Sequence, residues 1–109
     1  MAVGNFKNAK VSGASTSGTS LYTVPSGKYT TIHAIYVTNR YNLEDLYCNI
    51  AIDDGAGNLF YIAYLYPVAA NLGAVWERPI NLEDGEILKV TASRADSLDV
   101  VASVLEFTP

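Results

Sequence analysis

The punctuation of this chain from residue 21 onward leaves few folds open to it. Runs rich in Val, Ile, Thr, Tyr, Leu and Phe occupy residues 21–24, 29–38, 46–52, 59–66, 74–78, 87–93 and 98–107. Between them stand turn-forming clusters: Pro25-Ser26-Gly27-Lys28, a polar loop at 39–45, Asp53-Asp54-Gly55-Ala56-Gly57-Asn58, Pro67, Pro79, Glu83-Asp84-Gly85-Glu86 and Arg94-Ala95-Asp96-Ser97. Proline presets φ for a turn and glycine tolerates positive φ, so each cluster ends a strand for a definable reason. Turn signals about every 8–12 residues are the mark of a β-sandwich or barrel. No segment holds a helical period for ten residues, and the best helical candidate, 68–72, is too short to matter. An all-β fold is predicted, an antiparallel sandwich of seven to eight strands.

The first twenty residues differ. Gly, Ser, Thr, Asn and Ala dominate, and only Phe6 and Val11 have side chains that could anchor the segment. Residues 1–20 are read as an extended N-terminal arm or loop, with Phe6 and Val11 as its contacts, and residues 21–109 as the sandwich domain. The ends, Met1 and Pro109, are expected to be tied down by neighbours.

A strand on the surface of a sandwich alternates apolar inward with polar outward. Leu46, Cys48, Ile50 and Ile52 obey this against Tyr47, Asn49 and Ala51. Other runs do not. In 59–66 one face holds Leu59, Tyr61, Ala63 and Leu65 and the other Phe60, Ile62, Tyr64 and Tyr66. In the last run Val101, Leu105 and Phe107 oppose Leu98, Val100, Ala102 and Val104. In 29–38, His33, Ile35 and Val37 oppose Ile32, Ala34 and Tyr36. A two-layer sandwich has one interior, so the second faces must meet a loop, an arm or another subunit. Composition favours another subunit: charged residues are 17% of the chain, hydrophobic residues 50%, and eight residues are tyrosine, against about 25% charge in ordinary soluble domains. The residues assigned to a subunit interface are Phe60, Ile62, Tyr64, Tyr66, Val101, Leu105 and Phe107. Tyrosine suits such a contact because its ring is apolar and its hydroxyl stays satisfied at a wet rim.

Motifs for chemistry are lacking. The net charge is −4 with no Lys/Arg cluster, so nucleic acid is not an expected partner. No apolar run is long enough for a membrane helix, and residues 1–10 lack a signal-peptide core. One histidine and one cysteine cannot make a dedicated zinc site. His33 is expected to be a packed, hydrogen-bonded strand residue and Cys48 a small core hydrophobe. The loop 53–58 has oxygen ligands but neither the spacing nor the distal Glu of a Ca²⁺-binding EF-hand loop, and reads as a hairpin loop. Tyr41, Tyr47 and Trp76 could stack on a sugar, though packing explains them as well. No catalytic residue, metal ligand or cofactor is assigned.

Several of these turns and strands form a familiar series. Tyr22-Thr23-Val24-Pro25-Ser26-Gly27-Lys28 is followed by a strand ending in Thr38-Asn39. Leu82-Glu83-Asp84-Gly85-Glu86 then leads into Val90-Thr91-Ala92-Ser93 and a final Leu98-Asp99-Val100 strand. From about residue 21 to 107 the chain resembles small virion structural proteins of tailed bacteriophages. The resemblance implies a β-sandwich or jelly roll in a phage particle, made in the host cytoplasm and located in the virion. The role it implies first is a non-enzymatic capsid decoration (cement) protein that stabilises the head through protein–protein contacts. A tail, neck, adaptor or fibre-base component is the alternative, and a carbohydrate-binding module a third reading from the exposed tyrosines. Expected partners are copies of itself, as a homo-oligomer with a trimer matching capsid three-fold positions, and the major capsid protein or other virion proteins.

Overall fold

The computed structural model describes residues 3–108, which form nine strands and no helix. These are β1 (Val3–Val11), β2 (Thr19–Thr23), β3 (Tyr29–Asn39), β4 (Leu46–Asp53), β5 (Leu59–Val68), β6 (Gly73–Trp76), β7 (Ile80–Leu82), β8 (Ile87–Ala92) and β9 (Leu98–Thr108). The ends expected to be tied down, Met1 and Pro109, lie outside the described residues. One sheet runs β1-β9-β3-β6, with β7 also paired to β3, and the other runs β2-β8-β4-β5. Strands β6 and β7 share one edge of β3, pairing with its two halves. Counted by position there are eight strands in two antiparallel sheets, wound as a jelly roll.

The core lies between the sheets. Ile32, Ile35, Val37, Val100 and Val104 of the first sheet meet Ile50, Leu88 and Val90 of the second, all essentially closed to solvent. Burying each of these side chains stabilises the fold by about 1.5–3 kcal/mol. The open sides of the sandwich are sealed differently. Between β5 and β6, Tyr66 and Trp76 meet edge to face at 5.8 Å, and the Tyr66 hydroxyl donates to the Val75 carbonyl at 3.0 Å. Between β9 and β2 the seal is polar, a Tyr22–Glu106 hydrogen bond reinforced by Lys7 and Lys28.

Two of the turns read from sequence lock to each other. Lys28 N–H donates to the Pro25 carbonyl at 3.1 Å and Glu86 N–H to the Glu83 carbonyl at 3.0 Å. Gly27 and Gly85 hold the third position of each turn at φ 76° and 80°, which a type II turn requires. The Gly27 N–H then donates to Asp84 Oδ2 at 2.9 Å. Both chain crossings between the sheets at this end are thereby fixed together.

The arm assigned to residues 1–20 is divided. Val3–Val11 is extended and pairs with β9 in an unbroken register, Val3 opposite Thr108 through Val11 opposite Val100. Residues 12–18 form the loop into β2. A pairing supplied by backbone groups needs few apolar side chains, which is why composition alone does not mark β1 as a strand.

Candidate functional site

Partners in an antiparallel register share a face, so the register assigns every outward side chain. On the sheet β1-β9-β3-β6, Phe6 lies beside Leu105, Phe107 beside Tyr29, and Val101 between Lys10 and Tyr36, with Val75 next to Tyr36. Phe6 is 80% exposed, and Tyr29, Tyr36 and Val75 are exposed with it. Of the β9 residues expected at an interface, Val101, Leu105 and Phe107 stand together on this face, half-buried by their neighbours. The two arm contacts part ways: Phe6 points outward, whereas Val11 packs against the core.

His33 also reaches this face, and not by alternation. The β3–β9 register shifts between Ile32 and Ala34, and a bulge of this kind leaves one residue unpaired and turns it out. His33 is therefore exposed and stacks on Phe6 at 6.3 Å, in place of the packed, hydrogen-bonded position expected of it. The same shift sends Ile35 and Val37 inward with Ile32, while Tyr36 faces out.

Bulges also rearrange β5. Its register with β4 shifts between Cys48 and Ile50 and again between Ile50 and Ala51, and Leu65 has φ 53°. Phe60, Ile62, Tyr64 and Tyr66 consequently do not share a face. Tyr66 registers with the buried Cys48, and both Tyr66 and Ile62 pack against the molecule's own core. Tyr64 is 64% exposed and meets Tyr61 edge to face at 5.1 Å. Tyr61 in turn registers with the outward Ala51. With exposed Leu59, Phe60 and Leu65, these tyrosines make β5 an apolar outer strand. Strict alternation could not reveal this, because each bulge resets it.

The carboxylates of the acidic loop have structural partners. In the 53–58 loop, Asp54 accepts from the N–H groups of Ala56 and Asn58 and from the Asn58 amide. Asp53 accepts from Gly55 N–H and pairs with Lys89 at 3.1 Å. These contacts hold both carboxyls below the usual carboxylate range, the Gly55 N–H leading for Asp53 and the Asn58 amide for Asp54. Among the described residues no group of three His, Cys, Asp or Glu is placed to hold a metal ion. Cys48 is 1% exposed, and burial pushes its thiol up to about 11. Tyr41, Tyr47 and Trp76 do not form one platform. Trp76 packs inward against Tyr66, Tyr41 lies under Arg94 at 4.0 Å, and Tyr47 faces outward on the other sheet.

No protein-family model matches the sequence, and no curated protein matches it. Solved structures match it by fold. A chain from Bacillus endospore appendages, a novel family of disulfide-linked pili, superposes with a TM-score of 0.58 at 11% identity, over 98% of this chain and 88% of that one. A chain from the acid-stable capsid of Helicobacter pylori bacteriophage KHP30 gives 0.55 at 12% identity, over 100% and 93%. A chain of infectious bursal disease virus, Gx strain, gives 0.53 at 10% identity, over 98% of this chain but 37% of that one. At such identities the likeness is one of fold.

Proposed function

We propose that this chain is a non-enzymatic building block of a protein shell, a bacteriophage virion protein whose work is done by its outer faces. The observation that carries the reading is a jelly roll with a closed core that still turns apolar side chains outward on both sheets, Phe6, Tyr29 and Tyr36 on one and Leu59, Tyr61 and Tyr64 on the other. Large apolar surfaces of this kind mark interaction sites. The likeness to a phage capsid chain over nearly the full length of both supports the same reading. A filament joined by disulfides fits this chain less well, because its one cysteine, Cys48, is enclosed in the core.

Within the virion we assign it to the head, as a decoration (cement) protein set on a lattice of the major capsid protein. The exposed β5 strand and the outer face around Phe107 would take up neighbouring subunits, an oligomer with cyclic symmetry matching the symmetry of such a lattice. Electron cryo-microscopy of purified particles tests this. Density for the chain repeated across the head supports the assignment. A single ring at the neck or tail would move it to the adaptor or tail class. A chain that neither self-associates nor sediments with particles overturns the structural reading itself.

A further inference from the structure

The two sheets have four edges, and three of them are built against pairing with another strand. Strand β2 has five residues and a register shift between Ser20 and Tyr22. Strand β5 is broken by two shifts, a positive φ at Leu65 and Pro67. The edge made by β6 and β7 consists of pieces of four and three residues with Pro79 between them. Short, bulged and proline-bearing edges are the usual means of preventing sheet extension. Strand β1 has none of these devices. It runs nine residues with no shift in register, and among the described residues no strand pairs with its second side. Its one inward charge, Lys7, which would ordinarily blunt an edge, is neutralised within the chain by Glu106 at 3.0 Å.

We propose that β1 is completed by β1 of a second copy of this chain, antiparallel about a two-fold axis through Phe6. This rests on the assembly reading above and names one partner and one seam. An edge strand with unpaired N–H and C=O groups is a template for another strand. A two-fold contact presents the same strand from both sides, and residues facing each other across it must lie on one face of the sheet. The axis therefore passes through a residue. Through Lys7 it would set two ammonium groups directly opposite each other, which is destabilising. Through Asn8 it would set Phe6 against Lys10. Through Phe6 it sets ring against ring, Lys7 against Asn5 and Asn8 against Gly4, with residues 3–9 overlapping. Phe6, the most exposed of the large apolar side chains, is then covered. The outer face holding Leu105 and Phe107 becomes continuous across an eight-strand sheet.

The test uses the full chain in solution. Sedimentation equilibrium should give a dimer for the parent and a monomer for Phe6→Lys, with the circular dichroism spectrum unchanged and a cooperative melt that is lower only by what loss of the dimer contact removes. Under mild oxidation Phe6→Cys should form a cross-linked dimer, since directly opposed Cα atoms lie within disulfide reach, while Asn8→Cys should not. A parent that stays monomeric at every attainable concentration overturns the seam, as does a Phe6→Lys protein that remains dimeric. Cross-linking of Asn8→Cys in preference to Phe6→Cys overturns the register. A monomer that still enters particles removes the β1 seam and leaves the assembly reading standing. A dimer that never enters them does the reverse.

Discussion

A carboxylate shut away from solvent must find compensation inside the protein, and Glu106 finds it on three elements. Its side chain is 1% exposed. The Tyr22 hydroxyl donates to Oε2, while Oε1 is held by charge, 3.0 Å from Lys7 Nζ and 3.7 Å from Lys28 Nζ. The Tyr22 hydrogen bond leads, and the lysines add to it, in holding the carboxyl below its ordinary 4.5. Burial, seconded by the same hydrogen bond, pushes Tyr22 up to about 12. A depressed carboxylate means that the unfolded chain binds the proton first as pH falls. The stability it contributes is complete above the ordinary value and is lost as pH drops through the folded one. Melting curves of the parent should therefore fall steeply below about pH 4.5, the ordinary carboxylate value. Glu106→Gln should melt lower at neutral pH and show a flatter acid limb. An unchanged acid limb would assign the acid sensitivity elsewhere. Asn39 has a comparable role without charge. Its amide donates to the Glu44 and Val68 carbonyls at 3.2 and 3.0 Å, and its Oδ1 accepts from Tyr41 N–H at 2.8 Å. Asn39→Ala leaves the buried Val68 carbonyl without its partner and should cost about 1–3 kcal/mol, read from urea denaturation.

At the scale of elements, neighbouring tyrosines on β5 make a sharp pair. Tyr64 is exposed, whereas Tyr66, two residues on, packs on Trp76 and seals the sandwich. Tyr64→Asp should therefore melt within about 1 kcal/mol of the parent, as surface substitutions do. Tyr66→Ala should lose about 3 kcal/mol, as for other large aromatic deletions from a core. Denaturant titrations of the two variants check this, and equal losses would mean that β5 is seated in another register. The pair also marks the limit of what sequence reveals. The fold class and most strands were legible because β-branched and aromatic runs are cut by Pro-Ser-Gly and Asp-Gly turns whose chemistry is local. The buried set Leu46, Cys48 and Ile50 was legible because burial alternates over residues 46–50 of β4 as the sequence does. The faces of β3 and β5 were not, because a bulge is a property of two paired strands and leaves no mark in one. His33, Ile62 and Tyr66 were misplaced for that single reason. Strand β1 was missed because its place is held by backbone pairing and by Lys7, neither of which has a hydrophobic period.

On the scale of the whole molecule, the winding of the jelly roll places the first described strand beside the last. Strand β9 is the axis of its sheet, with β1 on one flank and β3 on the other. An arm in the sense read from sequence could be removed from such a molecule at little cost. Strand β1 could not. Without residues 1–11, β9 would present a new unpaired edge eleven residues long. Glu106 would lose Lys7, and the core would lose the cover of Ala9 and Val11. Two partly buried apolar side chains, one ion-pair partner and a full ladder of backbone hydrogen bonds together amount to several kcal/mol. Domains of this size hold about 5–15 kcal/mol in total. Deletion of residues 1–11 should therefore abolish the cooperative thermal transition, or lower it drastically, and leave a protein that aggregates through β9. If the shorter chain instead melts cooperatively near the parent temperature, residues 3–11 behave as a detachable arm. Residues 21–109 would then be the folding unit, and the seam through Phe6 would join arms and not sheets.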